Sequence, residues 1–243
     1  MTGHFPGDRP PLPPFRAAIL DLDGLALDSE PTYRHAWRRA AAELGLELGE
    51  EFCDGLCGRH AADLERALRE LWGPGFERER FWNVAERHWR DHLRTQGMAR
   101  MPGLDRLLAS FRRHGIPYAL ATNSDGLYAR ECLRQAGLES TFPVLVTRDQ
   151  VARGKPEPDL FLEAARRLAT PPALCLALED SETGLAAARA AGTIAILVQK
   201  RETVRRKLED SAFLALASLE ELAVRIGPEP NERAAGSGRP QRP

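Results

Sequence analysis

The segment Asp21-Leu22-Asp23-Gly24 closes an apolar run with two carboxylates spaced two apart. Alternate residues of extended backbone face the same way, so both acids can address one ligand. Carboxylates about 4–6 Å apart repel each other unless a cation or proton comes between them. Further on, Thr122-Asn123-Ser124 offers hydroxyl and amide groups. The same residue types suit a helix N-cap, with Ser124 or Asp125 in that place. In Gly154-Lys155-Pro156-Glu157-Pro158-Asp159, glycine and two prolines frame a lysine. That frame suits the aiming of one ammonium group, or simply the start of a helix. Glu179-Asp180-Ser181 places adjacent acids after another apolar run. They suit a hard divalent cation such as Mg²⁺, or the positive end of a helix dipole. Each motif alone has an ordinary structural explanation. Together they supply what phosphoryl transfer needs: a cation site and a lysine to neutralise phosphate oxygens, and hydroxyl and amide groups to hold them.

These groups need a scaffold that gathers them at one edge. Five short, mostly continuous apolar runs read as strands, at 16–20, 116–121, 142–147, 174–178 and 194–198. Amphipathic stretches at 104–114, 126–136, 158–169 and 184–191 separate them. Alternation of this kind predicts an α/β fold with a parallel sheet covered on both faces. Ligands of such sheets bind outside the carboxyl ends of the strands, where all four motifs fall. One segment breaks the alternation. Between the first and second runs lie about ninety residues with helical patterns at 31–44, 61–72 and 77–94, and all four tryptophans fall there. This predicts a helical unit at 31–98 inserted into a core made of 15–30 and 99–226. A flexible arm at 1–14 and a disordered tail at 227–243 are expected, the tail being polar and rich in Gly and Pro.

The chain has 243 residues, 43% hydrophobic and 28% charged, with net charge −1, enough apolar material for a substantial core. No basic block points to nucleic acid, and no apolar run points to a membrane. The first residues lack the charged and apolar regions of a secretory leader, so a cytoplasmic location is expected. A monomer is expected. Cys53, Cys57, Cys132 and Cys175 read as reduced thiols. A zinc site from Cys53 and Cys57 would need two more ligands, with only His60 nearby.

The motifs DLDG, ATNS, GKPEPD and LEDS, in this order over residues 15 to 200, resemble the haloacid dehalogenase-like hydrolase superfamily. More narrowly, the chain resembles its phosphoglycolate phosphatase and β-phosphoglucomutase-like branch. The resemblance implies a Rossmann-like core with a helical cap inserted after the first strand. It implies Asp21 as the nucleophile that accepts a phosphoryl group. Asp23 would protonate the leaving oxygen and later activate water. Mg²⁺ would be held by Asp21, the Asp23 backbone carbonyl and Asp180, with Glu179 tuning the site. Thr122 and Lys155 would bind the transferring phosphate, with Asn123 close by. A small phosphorylated metabolite is the implied substrate. In the cap, Arg59 and His60 fall in what resembles the family's specificity loop. Tyr33 stands where mutases of this branch carry a histidine, and Ala61 where they carry an arginine.

Three other readings share these residues. A sugar-phosphate mutase uses the same core motifs. A receiver-like phospho-switch also gathers acids, a threonine and a lysine at a sheet edge, but its acceptor lies on a later strand and it has no such insertion. A dehalogenase needs no acid for a leaving oxygen, which Asp23 would supply.

Overall fold

The computed structural model describes residues 11–56 and 61–227. Residues 1–10, 57–60 and 228–243 lie outside this description, so most of the expected arm, nearly all of the tail, Cys57, Arg59 and His60 fall there. The described chain divides into two compact units. Among the described residues one comprises 11–26, 101–129 and 140–227, and the other 27–56, 61–100 and 130–139.

The first unit is built on six parallel strands: β1 (Ala17–Leu20), β2 (Tyr118–Ala121), β3 (Val144–Val146), β4 (Cys175–Glu179), β5 (Ile194–Val198) and β6 (Leu214–Leu216). Their order is β3-β2-β1-β4-β5-β6, so β1 and β4 flank the point where the winding reverses. That is the parallel α/β class expected from the alternating runs and the Rossmann-like core implied by the resemblance. Five of the strands correspond to the five apolar runs. The sixth has no counterpart among them. It is a three-residue edge strand inside the apolar run Ala212–Ala217, whose Ala and Leu residues suit a helix as well as a strand.

Apart from Glu179 at the end of β4, the strands are apolar because both faces of the sheet are covered. Ala17 and Ile19 of β1 share a cluster with Leu160, Phe161, Ala164, Leu185 and Ala188. Those residues come from α7 (Asp159–Arg167) and α8 (Glu182–Ala190). Ala18 and Leu20 alternate to the other face and are also fully buried. Helices α5 (Leu104–Arg113) and α10 (Leu219–Ile226) pack against each other in this unit and bury Leu104, Leu107, Phe111, Leu219 and Leu222. The charged helix α9 (Glu202–Leu208) connects β5 to β6.

Helices α1 (Glu30–Glu43), α2 (Glu50–Leu56), α3 (Ala61–Trp72) and α4 (Arg78–Gln96) form the inserted unit. Leu27 bridges Arg100 in antiparallel fashion where the insertion leaves and rejoins the core sequence. Within this unit α1 packs on α4 around Trp37, Ala40, Ala85 and Phe81. α2 has no counterpart in the helical patterns read from sequence, because seven residues span too few turns to show a period. Helix α6 (Gly126–Gln135) begins in the first unit and ends in the second. Cys53, Cys132 and Cys175 are buried thiols. No described helix is long and apolar enough to cross a membrane.

Candidate active site

Asp21 follows directly on β1 and is 8% exposed. Its backbone N–H donates to the Leu178 carbonyl at 3.0 Å, which fixes the β1 end against β4. Its carboxylate accepts a hydrogen bond from the Lys155 ammonium. Lys155 is buried, donates to the Ala121 carbonyl at 2.9 Å and lies 2.5 Å from Oε1 of Glu179. The ammonium also sits 5.2 Å above the centre of the Phe161 ring. One cation therefore ties together the ends of β1, β2 and β4. Burial raises the Asp21 carboxyl's pKa, Lys155 pulls it back, and Glu179 and Asp23 push it up again, with the balance at about 7. Burial works to discharge Lys155, but the Asp21 and Glu179 carboxylates outweigh it and hold the ammonium above the ordinary lysine range.

Glu179 is fully buried and its Oε2 accepts from the Ser181 hydroxyl at 3.3 Å. Ser181 also caps α8 by accepting from the Gly184 N–H at 3.1 Å. A Cβ on Gly184 would overlap the Glu179 carboxylate, and one on Gly24 would overlap that of Asp180. Both glycines thus leave room for an acid, and Gly24 also adopts φ +80°, which other residues rarely do. Ligand oxygens of Asp21, Glu179 and Asp180 lie within 4.8 Å of one another. Three carboxylates against a single lysine leave an excess of negative charge, and all donors are hard oxygens. That donor set fits Mg²⁺. Among the described residues it is the only such cluster of metal-ligating side chains. The Asp180 backbone carbonyl accepts from Gln199 Nε2 at 3.1 Å, so a buried glutamine at the end of β5 steadies the acid.

Thr122 is buried at the end of β2, and its Oγ1 accepts the Ser124 N–H at 3.0 Å. Asn123 is exposed, and both ends of its amide are engaged on the Lys155 backbone. Its Oδ1 accepts the Lys155 N–H at 2.8 Å and its Nδ2 donates to the Lys155 carbonyl at 3.1 Å. In this geometry the asparagine holds the lysine loop. Arg153 closes the same loop from the other side, with its guanidinium on Asp159 at 2.8 Å.

The Asp23 carboxylate stands apart from the acidic cluster. Its Oδ2 accepts from the Ser124 hydroxyl at 2.8 Å and its Oδ1 from the Tyr128 phenol at 2.7 Å. The cap of α6 falls to Asp125, whose Oδ1 accepts the N–H groups of Leu127 and Tyr128. Ser124 is thereby left for Asp23. Sequence reasoning missed Tyr128 and Gln199 altogether, since neither belongs to a motif.

In the inserted unit Tyr33 lies between Trp37 and Trp89, with ring centres 5.8 and 6.3 Å away and nearly parallel planes. His35 and His92 face each other at 4.4 Å, and burial followed by His92 lowers the His35 pKa.

Comparison with known proteins agrees with this architecture. The model of a haloacid dehalogenase-like hydrolase family matches residues 15–192. Hexitol phosphatase A of Escherichia coli K12 is 32% identical over 206 residues, covering 85% of this chain and 92% of its own. Beta-phosphoglucomutase of Bacillus subtilis 168 is 29% identical over 191 residues, covering 74% and 82%. The crystal structure of CbbY from Rhodobacter sphaeroides in complex with phosphate superposes with a TM-score of 0.71 at 28% identity, covering 86% and 96%. With the family model matched over most of its length, the chain belongs to the haloacid dehalogenase-like hydrolases.

Proposed function

We propose that the protein is a Mg²⁺-dependent phosphatase that hydrolyses the phosphate ester of a small sugar or sugar alcohol through a phospho-aspartate on Asp21. One observation carries this reading. Asp21 sits at the meeting point of a three-carboxylate cluster and a buried lysine, while Asp23, two residues on, is held separately by hydroxyl groups. The first arrangement suits a nucleophile facing a phosphoryl group, and the second suits a proton donor beside the leaving oxygen.

Asp21 attacks phosphorus, the bond from phosphorus to the sugar oxygen breaks, and Asp23 gives its proton to that oxygen. Water then attacks the phospho-aspartate, its proton passes to Asp23, and phosphate leaves with Asp21 restored. Lys155 neutralises charge on the phosphate oxygens and keeps Asp21 oriented. Thr122 offers its hydroxyl to the phosphate, and Asn123 fixes the loop that carries Lys155. Mg²⁺, held by Asp21 and Asp180 with Glu179 beside them, would supply charge neutralisation between the acids and the phosphate.

Relatives named as a hexitol phosphatase and as a β-phosphoglucomutase support a small carbohydrate phosphate as substrate. They also keep a mutase as the second reading. The two separate on products. The protein is incubated with hexitol phosphates, fructose 1-phosphate and β-glucose 1-phosphate, with a glucose bisphosphate present as primer. Free phosphate and glucose 6-phosphate are followed together. Net phosphate release is expected, with little isomerisation. Isomerised sugar phosphate forming much faster than free phosphate replaces the hydrolase with the mutase.

A further inference from the structure

Both oxygens of the Asp23 carboxylate are occupied by hydroxyl donors, Ser124 at 2.8 Å and Tyr128 at 2.7 Å. One bond would leave the carboxyl group able to swing about it; two, on opposite oxygens, set its plane. Each donor is itself fixed. The Ser124 N–H donates to Thr122 Oγ1 at 3.0 Å, and its carbonyl accepts the Arg148 N–H at 3.0 Å, which ties it to the ends of β2 and β3. Tyr128 stands in the first turn of α6, with its N–H on Asp125 at 3.0 Å. The start of that helix is pinned again where the Gly126 N–H donates to Asp149 at 2.9 Å. Asp149 is in turn held by the Thr147 hydroxyl at 2.7 Å, just past β3. Two strand ends and a helix start therefore converge on the orientation of one carboxyl group.

We propose that Tyr128 and Ser124 are positioning residues that clamp the Asp23 carboxyl group for proton transfer to the leaving oxygen and from the attacking water. This rests on the role given to Asp23 above. A protonated carboxyl group keeps acceptor lone pairs on both oxygens, so the clamp persists when Asp23 carries the proton: both hydroxyls still donate, and the proton stays free for the leaving oxygen. The consequence depends on the ester. A sugar or polyol oxygen leaves badly without a proton, so its departure needs Asp23 in line. A nitrophenolate leaves without help, so its departure is indifferent to where Asp23 points.

The test uses the full-length protein with Mg²⁺ and the variants Tyr128→Phe, Ser124→Ala, Asp23→Asn and Asp23→Asn with Tyr128→Phe. Turnover is measured on mannitol 1-phosphate and fructose 1-phosphate as alkyl esters and on p-nitrophenyl phosphate as an aryl ester. Each clamp variant is expected to lose about tenfold or more in kcat/KM on the alkyl esters and less than about threefold in kcat/KM on the aryl ester, because this ratio ends at phosphoryl transfer to Asp21 and omits the attack of water that all esters share. In the Asp23→Asn background, Tyr128→Phe should cost nothing further. Equal losses in kcat/KM on alkyl and aryl esters, or a full further loss in the Asp23→Asn background, overturn the clamp. So does Asp23→Asn abolishing alkyl-ester turnover while Tyr128→Phe and Ser124→Ala leave it intact; the role of Asp23 then stands alone. Wild-type protein that releases phosphate from none of the esters, or an Asp23→Asn variant with full alkyl-ester activity, overturns the role of Asp23 and the clamp with it.

Discussion

The carboxyl edge of the sheet and the surface of the inserted helices both carry dense charge, and the two regions hold it in opposite ways. At the sheet edge the Lys155 side chain is 4% exposed and Glu179 is fully buried, and each meets several partners. On the helices Arg87 and Glu43 are 55% and 43% exposed, and their ion pair joins α4 to α1 at the surface. Water can replace a partner at the surface and cannot at the sheet edge. Exposed pairs contribute little, whereas removing one member of a buried set leaves the others charged and unpaired. Charge is thus a sign of chemistry here where it is withdrawn from water.

The comparison breaks most visibly at Asp21. Asp21→Asn keeps the volume and removes the nucleophile. Turnover is expected to fall by about 10⁴-fold or more, to near background, with an unchanged circular dichroism spectrum. Substantial turnover by a folded Asp21→Asn protein would move the nucleophile elsewhere.

The acidic cluster gives the next effect. A chelator is expected to abolish phosphate release and Mg²⁺ to restore it, and Asp180→Ala should raise the Mg²⁺ concentration needed for half-maximal rate by about tenfold or more. Full activity in excess chelator would mean that the three carboxylates serve some other purpose.

Lys155 tests the sheet edge on two scales at once. Lys155→Ala should lower kcat/KM by about 100-fold, which is about 3 kcal/mol on the barrier. It should also destabilise the protein by about 3–5 kcal/mol, since Asp21 and Glu179 are left facing each other without a cation. Added Mg²⁺ should recover part of the stability and little of the rate. A loss of rate below tenfold would place the lysine outside the reacting centre.

What could be read from sequence follows the same division. The strands of the core were legible because a sheet covered on both faces demands unbroken apolar runs, and the acids and Lys155 were legible because each ends such a run or sits in a stiff frame. β6 was not, because its short apolar run of Ala and Leu reads as readily as part of a helix. Ser124 was visible only as a possible helix cap; the structure gives the cap to Asp125 and the serine to Asp23. Tyr128 was invisible, since a single tyrosine on a helix becomes informative only when folding brings a residue 105 positions away onto its hydroxyl. Asn123 looked like a phosphate ligand, and its two hydrogen bonds to the Lys155 backbone can be seen only once the loops have met. In the inserted unit α1, α3 and α4 were legible, and the seven-residue α2 was not. Tyr33, which stands where mutases carry a histidine, stacks against Trp37 and Trp89.

The smallest expected effect lies at the surface pair of the helices. Glu43 accepts from Arg87 and lies 2.8 Å from Nε2 of His88, and these bonds, Arg87 first, hold its carboxyl below the ordinary range. A depressed carboxylate stabilises the fold above its unfolded pKa, and that contribution disappears as pH falls through the folded value. Arg87→Ala should therefore lower Tm by less than about 2 °C at neutral pH and flatten the acid limb of the stability profile. α1 and α4 stay together because Trp37, Ala40, Phe81 and Ala85 are buried between helices, not because their rims carry opposite charge. A Tm loss as large as that of Lys155→Ala would show that a pair open to water can matter as much as one sealed from it, and the contrast between the two regions would not hold.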